Sequence, residues 1–313
     1  MKDFPKWTAA DIPPQNGRLS IVTGTGGLGF ETALELAKNG ADVILAGRNA
    51  IKGTEAVKRI RNLVPTANIR FEELDLADLD SVKSFGDRMN KELQHLDLLI
   101  NNAAVMTPPS RKLTKDGFEL QFGTNYLGHF ALTAYLMPLL RKGEKPRVIH
   151  LSSVAHRNGQ IHFDDLQFEK YDASKAYAQS KIAMIMFALE LQRRSDKEGW
   201  GVLSIPVHPG ISRTDLLING AGPNSFAGIT RRFLAVLFQP SAQGALPTLF
   251  AATSPHVKSG AYYGPSRLSE TRGLPKPGKM APQALDTTVS SKLWDISNQL
   301  THVDFDRIAS MHS

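Results

Sequence analysis

The sequence predicts an α/β fold in which helices cover both faces of a parallel β-sheet. Three observations support this prediction. Short apolar or β-branched runs recur along the chain, segments with helical spacing lie between them, and 313 residues with 42% hydrophobic content can bury a sizeable core. Repeated alternation of strand and helix is typical of a parallel sheet that is buried on both faces.

Six runs predict strands, in chain order LSIVT from Leu19, DVILA from Asp42, IRFEEL from Ile69, LDLLIN from Leu96, RVIHLS from Arg147 and GVLSIPVH from Gly201. Between them, ETALELAKNG has helical spacing and stops at Gly40 as a helix C-cap would. Near the C-terminus SSKLWDISNQL predicts a helix, whereas GLPKPGKMAPQ after Arg272 predicts an irregular surface crossing. Ligands of such sheets bind beyond the carboxyl ends of the strands, so the residues after each run are the candidates for chemistry.

Composition narrows the class of protein. No stretch reaches the roughly 18 consecutive apolar residues of a membrane-spanning helix, and MKDFPKWTAADIPPQNGR lacks the layout of a signal peptide. The chain has no cysteine, so we expect a reducing compartment and a cytoplasmic protein without membrane insertion. The net charge of +7 is scattered without interleaved aromatics, which argues against nucleic acid but favours an anionic cofactor.

A glycine-rich stretch follows the first predicted strand. Gly24, Gly26 and Gly29 form the pattern G-x-G-x-x-G, and a helix-like segment opens directly afterwards. Bare backbone at a helix N-terminus lets a pyrophosphate approach the N–H groups. The pattern by itself is weak, and a glycine-rich strand-to-helix turn without a ligand is the alternative.

The end of the second strand bears on the choice of dinucleotide. An NAD site usually places Asp or Glu there for the ribose 2′-hydroxyl, but this chain has Gly47 followed by Arg48. A guanidinium suits a 2′-phosphate, so we expect NADP(H) in preference to NAD(H). A solvated surface charge is the alternative interpretation of Arg48.

Seven motifs in order now resemble a known family: TGTGGLG at Thr23, LDL with Asp75, NNAA at Asn101, TNYLGHF with Asn125, HLSS ending at Ser153, YAQSK from Tyr177 to Lys181, and HPG at His208. Over roughly residues 17–265 the chain resembles the short-chain dehydrogenase/reductases, in particular their retinol-dehydrogenase-like branch. The resemblance implies a single Rossmann-like domain with a doubly wound, seven-stranded parallel sheet. It also implies hydride transfer between a nicotinamide and a small-molecule carbonyl or alcohol.

The glycine loop departs from the pattern of that family. The family has three residues between the first two glycines of T-G-x-x-x-G-x-G, whereas only Thr25 and Gly26 separate Gly24 from Gly27. Four glycines can still trace a phosphate-binding turn, because no Cβ restricts φ at the tightest points. Weakened cofactor affinity is the hypothesis that this deletion raises.

Two tyrosines compete for the role of general acid/base, since both YDASK from Tyr171 and YAQSK from Tyr177 have the spacing Tyr-x-x-x-Lys. A lysine one turn away can help to lower the tyrosine pKa from its unperturbed value of about 10. Asp172 and Ser174 are both good N-cap types, so the helix is expected to begin within this stretch and Lys175 to fall in its first turn. Tyr177 and Lys181 lie deeper in the helix, and we therefore choose Tyr177 and assign Tyr171 to a loop or the surface.

The resemblance implies the rest of the catalytic set. Ser153 would hydrogen-bond the substrate oxygen, with Ser152 as the weaker candidate, and Asn125 would hold a water that passes protons between Lys181 and solvent. Without the resemblance, an outward polar residue in a helix is an equal interpretation of Asn125.

Cofactor contacts are likewise implied by the resemblance. Lys181 would also bind the nicotinamide ribose, Asp75 the adenine amine and Thr214 the nicotinamide amide or the phosphates, while Asn101 would steady the sheet. The implied set is Gly24, Gly26, Gly27, Leu28, Gly29, Arg48, Asp75, Leu76, Asn102, Ala103, Tyr177, Lys181, Pro209, Gly210 and Thr214. The histidines at 156, 162 and 208 are not spaced as a metal set, and no metal is expected.

The expected organisation is an N-terminal extension over residues 1–17, a dehydrogenase domain over 18–265 and a C-terminal extension over 266–313. An apolar segment at about 215–240 predicts a mobile substrate lid and hence a fairly apolar substrate; an ordinary packed helix is the alternative. A homodimer or homotetramer is expected from the resemblance. A non-catalytic, NADP-binding redox sensor of the same fold is the alternative function.

Overall fold

One eight-stranded sheet lies at the centre of the computed structural model, which describes residues 4–211 and 239–310. The strands are β1 Leu19–Thr23, β2 Asp42–Gly47, β3 Ile69–Glu73, β4 Leu98–Asn101, β5 Arg147–Leu151, β6 Leu203–Val207, β7 Tyr263–Arg267 and β8 Arg272–Pro277. Their order is β3-β2-β1-β4-β5-β6-β7-β8. All six strands predicted from apolar runs are present.

Seven neighbouring strands are parallel, and β8 pairs antiparallel with β7 at the sheet edge. The predicted doubly wound parallel sheet is confirmed, with β8 as an eighth strand. The interpretation of the segment after Arg272 as irregular was wrong, because β8 occupies its first part. Pro275 and Pro277 cannot donate backbone hydrogen bonds, and an edge strand tolerates them because it pairs on one side only.

Helices cover both faces of the sheet. In the described residues they are α1 Gly27–Lys38, α2 Ala50–Leu63, α3 Leu79–Glu92, α4 Leu120–Phe122, α5 Gly128–Leu140, α6 Ala173–Glu198, α7 Ser241–Gly244, α8 Leu246–Thr253, α9 Thr287–Thr301 and α10 Phe305–Ser310. A π-helical turn, Gly123–Leu127, joins α4 to α5. None of the helices in these ranges is long and apolar enough to span a membrane.

Alternation along the strands produces two cores. Ile21 and Ile44 pack with α3, α5, α6, α9 and α10, whereas Val22 and Val43 pack with α1, α2 and α8. The predicted helix near the C-terminus is confirmed as α9, and its Trp294 ring lies 5.1 Å from that of Phe130 in α5. The sheet and both cores therefore extend into the predicted C-terminal extension, and the boundary at 265 passes through β7.

Candidate active site

The glycine loop is held by a close backbone approach. Gly24 has φ +92° and Gly27, where α1 begins, has φ +50°, values that favour glycine. A Cβ at Gly29 would lie 2.1 Å from the Gly24 carbonyl oxygen. The first turn of α1 therefore rests directly on the loop, and the shortened connection through Thr25 and Gly26 still brings the helix N-terminus to the end of β1.

Thr23, the last residue of β1, joins this loop to the end of β4. Its hydroxyl oxygen accepts hydrogen bonds from the backbone N–H groups of Asn102 (2.9 Å) and Ala103 (3.0 Å). In return, the Asn102 side-chain amide donates to the Thr23 carbonyl oxygen at 2.6 Å. These contacts fix the strand ends that form the floor of the site.

His129 connects the same threonine to the backbone of Asn125. Its Nδ1 lies 2.9 Å from the Asn125 carbonyl oxygen and its Nε2 lies 2.9 Å from the Thr23 hydroxyl. Burial lowers the pKa of His129 to about 4, so the ring is neutral. Because a carbonyl oxygen only accepts, Nδ1 carries the proton and Nε2 accepts from Thr23.

Asn125 lies in the π-helical turn and is buried, so it is not an outward polar residue. Its side-chain oxygen accepts from Val105 N (2.7 Å), and its side-chain amide donates to Val105 O (2.9 Å) and to the Ser180 hydroxyl (3.0 Å). The side chain therefore holds the segment after β4 against α6, and the backbone carbonyl is the group that faces His129.

Two adjacent serines after β5 have different tasks. Ser152 is buried and its hydroxyl donates to the Lys181 carbonyl oxygen at 2.7 Å, which ties β5 to α6. Ser153 caps the 3₁₀ helix Val154–Asn158, and its hydroxyl hydrogen-bonds the side chain of Tyr177. Of the two, Ser153 presents its hydroxyl to the tyrosine.

Lys181 lies beneath Tyr177, and within residues 4–211 and 239–310 it forms no ion pair. Its ammonium nitrogen donates to the Leu151 carbonyl oxygen at 3.0 Å and lies 5.7 Å from the centroid of the Tyr177 ring. Burial lowers the pKa of Lys181 to about 7. Burial also raises the pKa of Tyr177 to about 12, against a lowering contribution from the Ser153 hydrogen bond. The protein's own groups therefore keep the phenol protonated at neutral pH, which is the form that donates to a carbonyl oxygen.

Tyr171 lies outside α6. The helix begins at Ala173 after Asp172, whose carboxylate accepts from the backbone N–H groups of Ser174 (2.9 Å) and Lys175 (3.0 Å). The predicted helix start is thus confirmed. The Tyr171 hydroxyl donates to the Pro108 carbonyl oxygen at 3.1 Å, which is a structural contact in a loop.

Tyr177 stands between two clefts. The first, about 270 Å³, is lined by Gly24, Thr25, Gly26, Gly27, Leu28, Lys52, Asn102, Ala103, Ala104, Leu151, Ser152, Tyr177, Lys181 and Pro209. The second, about 470 Å³, is lined by Met106, Thr107, Ala155, Asn158, Asp172, Ser174, Lys175, Tyr177 and Ala178. Tyr177 thus lines both a glycine-rich cleft and a separate, partly apolar one.

A family model described as short chain dehydrogenase matches residues 18–222. The chain belongs to the short-chain dehydrogenase family. Mouse retinol dehydrogenase 13 is 41% identical over 298 residues, which cover 93% of this chain and 85% of the relative. The chain is accordingly an oxidoreductase of the retinol-dehydrogenase-like branch.

Solved structures show the same fold. A protein from Mycobacterium paratuberculosis is 37% identical, with a TM-score of 0.80, covering 96% of this chain and 99% of that one. A short-chain dehydrogenase from Shigella flexneri, complexed with NADP, is 21% identical with a TM-score of 0.61, covering 84% and 97%.

The first cleft of this short-chain dehydrogenase fits a dinucleotide. A Cβ at Gly24 would lie 2.8 Å from the side-chain nitrogen of Asn102, so the loop must stay bare. The N-terminus of α1 offers backbone N–H groups to phosphates, and the cations of Lys52 and Lys181 line the same cleft. Nine of the residues expected from the sequence line it: Gly24, Gly26, Gly27, Leu28, Asn102, Ala103, Tyr177, Lys181 and Pro209.

The other expected cofactor residues that the structure describes are not among those lining the cleft. Gly29 is buried beneath the loop, and Arg48 is exposed at the end of β2. Asp75 accepts from the Ala77 N–H at 2.9 Å in the turn after β3, followed by the buried Leu76. Gly210 has φ +69° after Pro209. Thr214 and the expected lid, apart from Gln239 and Pro240, fall outside the described residues.

Lys52 is a residue of the first cleft that sequence reasoning missed. It lies in the first turn of α2, where its backbone N–H donates to the N-cap Asn49 at 2.9 Å, four residues after Arg48. The sequence signal that could have identified it is the spacing of four residues between Arg48 and Lys52, two cationic residues at the point where β2 leads into α2.

Proposed function

We propose that this chain is an NADP(H)-dependent oxidoreductase that transfers a hydride between nicotinamide and a carbonyl or alcohol of a fairly apolar small molecule. Tyr177 acts as the general acid/base. The observation that carries the proposal is the position of Tyr177 between the two clefts, with Ser153 at its hydroxyl and Lys181 beneath its ring.

In the reducing direction, the protonated Tyr177 hydroxyl donates its proton to the substrate oxygen, and Ser153 donates a hydrogen bond to the same atom. A bound nicotinamide would supply the hydride, and the positive charge of its oxidised form would favour the phenolate. Lys181, whose pKa of about 7 lets it hold or release a proton at neutral pH, resupplies the phenol. The backbone carbonyl oxygen of Asn125 is proposed to hold the water that links Lys181 to solvent. The oxidising direction reverses these proton transfers.

Preference for NADP(H) is supported by charge at the end of β2. A Cβ at Gly47 would lie 2.9 Å from Cγ2 of Thr25, and no carboxylate occupies that position. Arg48 and Lys52 supply two cations for a 2′-phosphate. The structural relative from Shigella flexneri binds NADP. Asp75, Leu76, Gly210 and Thr214 are proposed as further cofactor contacts.

Titration of NADPH and NADH tests this preference. Arg48→Ala and Lys52→Ala are each expected to weaken NADPH binding at least about tenfold and to leave NADH binding within about twofold, because only NADPH carries the 2′-phosphate. Lys58→Ala, an exposed change on the same helix, is the control. Equal losses for both dinucleotides would contradict the proposed phosphate site.

Tyr177→Phe and Tyr171→Phe test the catalytic assignment. With NADPH and a panel of aromatic aldehydes and ketones, Tyr177→Phe is expected to slow NADPH oxidation at least about 100-fold, whereas Tyr171→Phe stays within about threefold. A Tyr177→Phe variant at full rate would refute the mechanism. Tight NADPH binding by the native protein, without turnover of any substrate, would favour the redox sensor instead.

The substrate, assembly and compartment are proposed on separate grounds. Met106, Ala155 and Ala178 give the second cleft an apolar wall beside Tyr177, which suits an apolar alcohol, aldehyde or ketone. The resemblance to the family supports a homodimer or homotetramer, which light scattering would test. The absence of cysteine supports a cytoplasmic location, which fractionation of the source cells would test.

A further inference from the structure

The turn between β7 and β8 is strained and points a carboxylate inward. Leu268, Ser269 and Glu270 have φ values of +49°, +53° and +68°, and none of them is glycine. Such residues persist where surrounding contacts enforce the conformation. The turn leaves Leu268 at 68% exposure but buries Glu270 to 8%.

Both oxygens of the Glu270 carboxylate have partners. One lies 2.6 Å from Nη2 of Arg157 and 3.2 Å from Nε2 of His208, and the other accepts from the Lys279 N–H at 3.1 Å. Burial raises the pKa of Glu270, but His208, the Lys279 N–H and Arg157 together bring it below its ordinary value. The group is therefore an anion at neutral pH. It accepts hydrogen bonds from Arg157 and from the Lys279 N–H, and it lies within contact distance of His208 Nε2.

The two side-chain partners come from the two loops that carry the site. Arg157 lies in the 3₁₀ helix that Ser153 caps. His208 immediately precedes Pro209, which lines the first cleft. The Gly210 N–H donates to Nδ1 of His208 at 3.3 Å, so a neutral His208 has its proton on Nε2, the ring nitrogen that lies 3.2 Å from Glu270.

A second set of contacts from the same C-terminal segment reinforces the first. The Tyr262 ring meets the His156 ring edge-on, with a centroid distance of 5.3 Å, and stacks on the His208 ring at 5.1 Å. Nδ1 of His156 donates to the Ser153 carbonyl oxygen at 2.6 Å, and its Nε2 accepts from the Ala281 N–H at 3.2 Å. The backbone of Ser153 is thus held from residues beyond β7.

We propose that Glu270 is a positioning residue for hydride transfer: by binding Arg157 and contacting His208, it sets the distance between the Ser153 segment and the Pro209 wall of the first cleft. The inference rests on the proposed function, which makes Ser153 the contact to the substrate oxygen and the first cleft the dinucleotide site. Because small misplacements of reacting groups slow a reaction strongly, loosening this link should lower kcat more than it changes substrate KM.

Glu270→Gln removes the charge and keeps the size of the side chain. At saturating NADPH, and well below the melting temperature of each variant, kcat is expected to fall at least about tenfold with substrate KM within about threefold. The dissociation constant for NADPH is expected to rise at least about fivefold. Glu169→Gln, which breaks the exposed pair with Arg111, is the matched control and should leave all three quantities unchanged.

Arg157→Gln is the second variant, because its side chain is 37% exposed and tolerates replacement if Glu270→Gln does not fold. It should shift kcat and NADPH affinity in the same direction by a smaller factor, since the Lys279 N–H still binds Glu270 and the contact with His208 remains. A lower melting temperature with kcat and NADPH affinity within twofold of the native protein, in whichever variant folds, would overturn the proposal. NADPH affinity is measurable without a substrate, so failure of the proposed turnover remains distinguishable from failure of this inference.

Discussion

Replacing Lys181 with methionine is expected to stabilise the protein while it removes the activity. Lys181 is buried in α6, and no acidic side chain of the described residues forms an ion pair with it. Its ammonium nitrogen donates a hydrogen bond to the Leu151 carbonyl oxygen at 3.0 Å. Methionine has a similar length and no charge, so Lys181→Met keeps the packing and removes the cost of burying an ammonium group.

The size of the gain follows from the lysine pKa. Between the ordinary value of 10.5 and the folded value of about 7, at about 1.4 kcal/mol per pH unit, burial of the charge costs about 5 kcal/mol at low pH and about 4 kcal/mol at pH 7. Losing the hydrogen bond to Leu151 costs about 1–2 kcal/mol. Lys181→Met should therefore raise the free energy of unfolding by about 2–3 kcal/mol at pH 7.

The dependence of the free energy of unfolding on pH tests the same reasoning independently. Between pH 7 and 10.5 the unfolded chain binds more protons at this lysine than the folded chain, so the native protein gains stability as pH rises. The penalty is fully present below pH 7 and is relieved toward pH 10.5. The advantage of Lys181→Met should therefore vanish near pH 10.

Urea unfolding at pH 7 and pH 10, followed by tryptophan fluorescence, measures both quantities, since Trp7, Trp200 and Trp294 are all buried. Lys175→Met is the control, because Lys175 is exposed in the first turn of the same helix and should change stability by less than about 0.5 kcal/mol. The reasoning would be refuted if Lys181→Met were less stable than the native protein at pH 7. It would also be refuted if the variant gained the same free energy of unfolding at pH 7 and at pH 10.

Three further changes probe the loop after β1. Gly29→Ala places a methyl group 2.1 Å from the Gly24 carbonyl oxygen, so NADPH affinity should fall at least about tenfold in a fluorescence titration; unchanged affinity would contradict the close approach. Thr23→Val leaves two backbone N–H groups without their acceptor and should cost about 2–3 kcal/mol in urea unfolding, against a negligible cost if water replaces the hydroxyl. One serine inserted between Thr25 and Gly26 should tighten NADPH binding at least about threefold if the short loop weakens it, and an unchanged dissociation constant removes that hypothesis.

Much of the site was predictable because its signals are local in the chain. Strand and helix alternation placed β1 to β6, and the N-cap at Asp172 distinguished Tyr177 from Tyr171, since a capping side chain reaches backbone N–H groups only two or three residues away. The spacing from Tyr177 to Lys181 also spans one helical turn. Within one element, sequence distance and spatial distance are tied by helix or strand geometry.

Other features were decided by tertiary structure. β8 contains two prolines and is a strand only because β7 offers it an edge. The sequence also contained no local sign that His129 joins Thr23 to the backbone of Asn125, or that Glu270 joins the loops after β5 and β6. These partners are separated by as many as 113 residues, and no periodic pattern encodes a contact between them. The sequence by itself determined the order of the elements and the helix that presents the tyrosine. Packing determined which polar groups the folded chain brings together around it, because burial forces each of them to find a partner wherever the fold supplies one.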